Sequence, residues 1–262
     1  MDEANNFPLA APVVMSDCYM NDILSGSESI EENRATKANF IHQKNSFVYY
    51  CKIFDPLGLF GPIITLAKIL IQRLWLLELG WINELPFKEE KEWRQFIDSL
   101  KAVNNISIDR CILIHRAESI ELHAFSDASE KAYGSSIYLK SISALGEVKV
   151  YLVTSKSRVS PLKQISIPRL ELCGAVLAAK LMKNVKEALN HHITAVHFWS
   201  DSTIVISWIH RESRELKTFV ANRVSKIHQL SSCHQWHHIA SEQNPANGLS
   251  RGLLEVSMVT WS

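Results

Sequence analysis

The sequence predicts an α/β fold in which a mixed sheet of five strands carries flanking helices and is preceded by a smaller helical region. Three observations predict it. From about residue 118 the chain turns to short runs of alternating apolar and polar residues, "SIELHAFSD", "YGSSIYLK" and "VKVYLVTSKSRV", which read as three strands of an antiparallel meander. Beyond them, segments of helical periodicity alternate with two further strand-like runs. The composition, 47% hydrophobic and 21% charged over 262 residues, is that of an ordinary globular chain of one to two domains.

Taken in order, residues 22–46 are polar and poor in large apolar side chains, so a surface helix and linker are expected there. "FDPLGLFGP" (54–62) concentrates Pro and Gly, and the apolar stretch 59–81 predicts a buried or half-buried helix from near Pro62 to near Gly80. That stretch approaches the length of a membrane span, but Lys68 and Arg73 would lie near the middle of the bilayer, so no membrane role is expected. "FKEEKEWRQFIDSLKAV" (87–103) sets Trp93, Phe96, Ile97 and Leu100 at helical spacing, and the two helices are expected to pack together. After the meander, "IPRLELCGAVLAAKLMKNVKEAL" (167–189) predicts a helix with Pro168 in its first turn. "AVHFWSD" then reads as a strand, "STIVISWIH" as a helix capped by Ser202, "KTFVANRVSKIHQL" as another helix and "HQWHHIA" as the last strand. The order β, β, β, α, β, α, α, β makes the first and fourth strands neighbours.

Charge and cysteine content narrow the setting. The formal net charge is +1, so attraction for a polyanion must come from local clusters of Lys and Arg. Five cysteines, an odd number without CxxC pairs, argue against a disulfide framework and for a reducing, intracellular compartment. The acidic start "MDEANNFPLAAPVV" is unlike a signal peptide.

Three carboxylates stand out against apolar surroundings. Asp127 closes "LHAFSD" on the strand face shared by His123 and Phe125; the alternative is an Asp that starts a tight turn. Asp201 follows the apolar run "FWS", where it could instead cap the next helix. Glu171 shares a helix face with Ala175, Ala178 and Met182, so its charge needs a partner, unless it serves to complement the helix dipole. Gly174, one turn along, would let the helix approach the sheet and bring Glu171 to the strand ends. Gathered carboxylates repel unless a cation lies between them, and hard oxygens favour Mg²⁺ or Mn²⁺. Two such ions can activate water for phosphodiester hydrolysis without a side-chain nucleophile.

Other constellations carry less. Lys156, Arg158, Lys163 and Arg169, extended by Arg223 and Lys226, form either a phosphate-contacting strip or an ordinary solvated loop. "CHQWHH" (233–238) confines Cys and His to one short strand and lacks a second ligand pair for zinc. Cys173 has no His at a companion spacing for thiol catalysis.

Beyond these patterns, the words "IFDPLGLFGP", "HAFSDASEKAYG", "SKSRVSPLK", "IPRLELCGA", "WSDSTIVISWI", "FVANRVSKI" and "NPANGLSRG" resemble the polyprotein of BEL/Pao LTR retrotransposons over about residues 50–253. The resemblance implies a ribonuclease H-like domain at 116–255 and a helical connection region at 46–115. It also implies a reverse transcriptase palm remnant and linker at 1–45 and a tail at 256–262. By this likeness Asp127, Glu171 and Asp201 are metal ligands for cutting the RNA strand of an RNA/DNA hybrid. The fourth ligand, an Asp in the family's Asn-Pro-Ala-Asp, is Asn247 here, so two Mg²⁺ or Mn²⁺ ions are implied with the second weakly held. The palm motif Tyr-x-Asp-Asp reads Tyr19, Met20, Asn21, Asp22, so no polymerase activity is expected. A reverse transcriptase supplied by an intact element is the implied partner besides nucleic acid. The rival expectation is a catalytically inactive, nucleic-acid-binding relic.

Overall fold

The computed structural model describes residues 18–19, 22–23, 55–77, 86–103, 111–189 and 191–253. The chain divides into two compact units, Met1–Pro56 with Ala67–Ala102, and Leu57–Leu66 with Val103–Ser262. In the smaller unit a short antiparallel ladder joins β1 (Cys18–Tyr19) to β2 (Asp22–Ile23), pairing Cys18 with Ile23 and Tyr19 with Asp22. The surface helix and linker expected at 22–46 lie, beyond Asp22–Ile23, outside the described residues.

Helix α1 (Gly61–Leu76) begins in the larger unit and continues into the smaller, and α2 (Phe87–Val103) follows it. The expected end near Gly80 moves back to Leu76, with Leu77 in a turn bonded to Leu74. Arg73 ties the two helices, 2.5 Å from Glu92 and 3.3 Å from Glu89. Glu89 and Glu90 lie in the first turn of α2, where negative charge complements the helix dipole. Trp93 and Phe96, a helical step of three apart, are buried with ring centroids 5.1 Å apart. Among the described residues no helix is long and apolar enough to cross a membrane.

The larger unit holds the sheet, built from β3 (Ala117–Ala128), β4 (Ala132–Ser143), β5 (Val148–Val159), β6 (Ala195–Ser200) and β7 (Trp236–His238). The strand order is β5-β4-β3-β6-β7, with β3, β4 and β5 an antiparallel meander and β3–β6 and β6–β7 parallel. Interleaved are α3 (Ile167–Ala188), α4 (Thr203–Ile209), α5 (Thr218–His228) and α6 (Asn247–Arg251). The last strand is shorter than the alternation of "HQWHHIA" implies. Cys233–Gln235 form a 3₁₀ turn in which Ser232 and Gln235 cap each other, which leaves three residues to pair with β6.

Period-two alternation sorts the strands into two faces. Leu122, Ala124, Ile137, Leu139 and Phe198 point to the face covered by α3 and α5, whose Ala175, Ala178, Met182, Val220 and Val224 complete the main core. On the opposite face Phe125 and Tyr138 pack on Ala246 and Leu249 at the start of α6. At the edge, Trp236 stacks on Phe198 at 4.7 Å and donates its indole N–H to Ser231 at 3.0 Å, which accounts for the Trp of "CHQWHH". This two-sided burial sets the strand ends, and with them the carboxylates, in place.

Candidate functional site

The parallel register of β3 and β6 brings the first two acids together. Its last pair is Ser126 with Ser200, so the next residues, Asp127 near the end of β3 and Asp201 just past β6, stand side by side. Asp127 is 5% exposed. The turn after it is closed by Ser129, whose N–H donates to the Ala132 carbonyl at 2.8 Å and whose hydroxyl accepts from Lys131 and Ala132. Asp127 therefore does not serve the turn, and its carboxylate is left for the site.

Asp201 is likewise not the helix cap. That role falls to Ser202, whose hydroxyl oxygen accepts the Val205 N–H at 3.3 Å. The Asp201 Oδ1 atom is buried without a hydrogen-bond partner.

Glu171 sits beyond the first turn of α3, which begins at Ile167 and has no acid in that turn, so dipole complementation does not explain it. Its face is as the spacing indicates, with Ala175, Ala178 and Met182 buried below it. Gly174 allows the approach: a Cβ there would lie 3.2 Å from the Asp127 carbonyl oxygen and 3.5 Å from that of Gly134. Helix and strand meet backbone to backbone at the point where the acids converge.

Electrostatics registers the convergence. Burial pushes the Asp127 carboxyl above its ordinary range; the Ser250 hydroxyl and the Ala128 N–H oppose the rise, and the Asp201 charge adds to it. Burial likewise raises Glu171, countered by a hydrogen bond with Ser202 and reinforced by the charges of Asp201 and Asp127.

Asn247 opens α6 on the same side. Its side-chain N–H donates to the Ser241 carbonyl, and its Oδ1 is buried without a partner. Two residues near it went unrecognised in the sequence. Ser250, fully buried, donates its hydroxyl to Asp127 Oδ2, and its carbonyl accepts from Ser129 at 2.6 Å. Asn244, 3% exposed, donates to the Ser126 carbonyl at 3.0 Å and accepts the Ala246 N–H at 3.1 Å. An Asn before Pro is a turn signal that hinted at Asn244. Nothing local marked Ser250, whose partner lies 123 residues away.

The donor chemistry fits a hard cation, since the Asp201 Oδ1 and Asn247 Oδ1 atoms are buried without partners and the Asp127 and Glu171 carboxylates stand near Asp201. The expected gathering around one ion is looser than the motif implies. Among the described residues no three His, Cys, Asp or Glu side chains form a group that could hold a metal. Ser250 and Ser202 tie Asp127 and Glu171, and the fourth position is an amide.

The basic residues divide. Lys156, Arg158, Lys163, Arg169 and Lys226 are exposed, with Arg158 bonded to Tyr133 and Lys226 to Gln229 at 3.2 Å. Arg223, expected to extend the strip, is half-buried and packs on its own helix. Its guanidinium lies 3.5 Å over the Phe219 ring and donates to the Phe219 carbonyl at 3.0 Å and to Cys173 Sγ at 3.2 Å. Stacking on an aromatic face satisfies a guanidinium at little desolvation cost. The same bond gives Cys173 a structural partner.

Strand order, the parallel β3–β6 pair and acids at adjacent strand ends define a ribonuclease H-like mixed sheet with flanking helices. The chain belongs to the family of Pao retrotransposon-like RNaseH-like domains, whose model matches residues 43–202 and so takes in Asp127, Glu171 and Asp201. No curated protein matches the chain. Among solved structures, it is similar to the N-terminal RNase H domain of a Mycobacterium tuberculosis protein fused to maltose-binding protein. That likeness has 13% identity, TM-score 0.32, and 50% of this chain and 91% of that one covered. It is also similar to RNase H1 from Halobacterium salinarum, with 10% identity, TM-score 0.30, and 49% and 90% covered. For prototype foamy virus protease-reverse transcriptase the values are 14% and 0.31, with 81% of this chain and 26% of that one covered.

Proposed function

We propose that this chain is a ribonuclease H-like hydrolase of retrotransposon type that cuts the RNA strand of an RNA/DNA hybrid, using Mg²⁺ or Mn²⁺ at Asp127, Glu171, Asp201 and Asn247. The observation that carries the reading is the convergence of three acids: the parallel register puts Asp127 and Asp201 at adjacent strand ends, and Gly174 brings α3, with Glu171, backbone to backbone against Asp127. Bound among these oxygens, the ions would supply an activated water and stabilise the leaving oxygen. Ser250 holds one oxygen of Asp127, Ser202 orients Glu171, and the Ser241 carbonyl fixes the Asn247 amide. Asn247 adds no negative charge, so the second ion would be held weakly.

Lys156, Arg158, Lys163 and Arg169, all exposed, would meet the backbone of the hybrid, with recognition resting on groove shape and 2′-hydroxyls. Asn247 also favours a second reading, a nucleic-acid-binding relic without catalysis.

A labelled RNA/DNA hybrid incubated with the protein and Mg²⁺ or Mn²⁺ separates the two. Metal-dependent cleavage that Asp127→Asn removes supports the hydrolase. Wild type and Asp127→Asn equally inert, with the hybrid still bound, would leave the relic as the answer.

A further inference from the structure

The sheet face that carries Phe125 holds a group of imidazoles the carboxylate site does not use. His123, His197 and His237 lie on β3, β6 and β7, three adjacent strands of the sheet. We propose that His197 Nδ1 and His237 Nε2 form a cross-strand, two-nitrogen site for a borderline divalent transition metal, with Zn²⁺ and Ni²⁺ as probes.

Distance is the first argument. The two ring nitrogens lie 3.3 Å apart. Two imidazole nitrogens on a tetrahedral zinc, with bonds of about 2.0–2.1 Å, stand about 3.3–3.4 Å from each other. The free pair is thus already at the spacing a shared ion requires. As free rings they share one hydrogen; to take an ion, the ring that carries it shifts to its other tautomer and both rings tilt so that their lone pairs meet off the line between them.

Packing is the second. His197 stacks on His123 at 5.0 Å, and His237 packs against Trp199 at 5.0 Å, so neither ring must be ordered from a mobile state. His123 is not a third ligand. Its Nδ1 accepts the Trp199 indole N–H at 3.2 Å, and its Nε2 lies 3.1 Å from Glu121. Two protein donors remain, in keeping with the absence of any three-donor group among the described residues. The other coordination positions are left for water or an added ligand.

Ion type is the third. Imidazole suits zinc and nickel, whereas magnesium prefers carboxylate, carbonyl and water, so this pair and the carboxylates would take different ions. Because β7 is held to β6 through only three paired residues, an ion shared by the two strands would clip the edge of the sheet.

Isothermal titration of the full chain with Zn²⁺ and Ni²⁺ tests the site. Binding should weaken about tenfold or more in His197→Ala and in His237→Ala. It should persist when the exposed His191 and His192 are replaced by Ala. Binding unchanged in both His197→Ala and His237→Ala overturns the proposal. Either variant could misfold, so the unaltered protein supplies a second readout. Zn²⁺ should slow amide hydrogen exchange at residues 236–238, and exchange there that is indifferent to bound zinc, or equally slowed by Mg²⁺, overturns it too. No cleavage is measured, so the outcome is independent of the proposed hydrolase.

Discussion

Asn247 turns its amide N–H to the Ser241 carbonyl and leaves Oδ1 buried without a partner. Replacing it by Asp removes that donor and sets a carboxylate oxygen against a carbonyl, while adding the charge the centre lacks. Asn247→Asp should therefore lower stability by about 1–2 kcal/mol in metal-free buffer. Mg²⁺ or Mn²⁺ should restore it and raise cleavage of the hybrid, as paired thermal melts and cleavage assays would record. Asp127 shows the opposite balance. Its pKa is raised by burial, so its charge opposes folding when no cation is present. Asp127→Asn should abolish cleavage yet raise the metal-free melting temperature by about 2–4 °C, the shift that about 1 kcal/mol gives in a domain of this size. A melting temperature that falls instead would show that the Ser250 bond outweighs the desolvation.

Helix α3 is placed by Gly174, and the contact fixes how far Glu171 stands from the strand ends. Gly174→Ala gains helix propensity of about 1 kcal/mol, but its Cβ would stand 3.2 Å from the Asp127 carbonyl, so the end of β3 must give by a few tenths of an ångström. Overpacking should win by about 1 kcal/mol, and cleavage should fall more than stability does because Asp127 shifts. Urea melts set beside cleavage rates compare the two losses. Gly134 plays the matching part under α6: a Cβ there would lie 2.7 Å from that of Leu249. The elements themselves were legible in sequence. Alternation of apolar and polar residues marks β5 at Val148–Val159, and helical spacing marks α2 at Phe87–Val103, both with the boundaries found. Where local pattern failed, a tertiary or capping bond decided, as in the Ser232–Gln235 cap that shortens β7.

Across the whole unit, strand order follows from the meander and the helix-linked strands after it, which is why the pairing of Asp127 with Asp201 is legible in the sequence. The Arg223–Cys173 contact and the Ser250–Asp127 bond are not, since each depends on atoms brought together by packing rather than by spacing. The imidazole face gives a pH dependence. Burial holds His123 below its ordinary pKa, the Glu121 bond opposes this, and the charges of His197 and Lys140 add to it. His237 is also lowered by burial, with His197 and His210 contributing. In the unfolded chain both titrate near about 6.5, so between the folded value and that point the unfolded state binds more protons. Their contribution is whole above about pH 6.5 and is lost as pH falls toward the folded values. Denaturant melts in metal-free buffer at decreasing pH should show this decline, and His123→Gln should flatten it. Asp127 and Glu171, raised in the fold, act in the reverse sense and gain as acid neutralises them, so the variant rather than the bare profile isolates the histidines.

The segment from Asn244 to Ser250 clasps the sheet at three points: the Ser126 carbonyl and the Asp127 carboxylate of β3, and the rings of Phe125 on β3 and Tyr138 on β4. A proteolytic clip just ahead of it would register twice, as chemistry silenced and as a newly sticky surface where those rings meet water. The far side of the sheet, sealed by the long helix, would not notice.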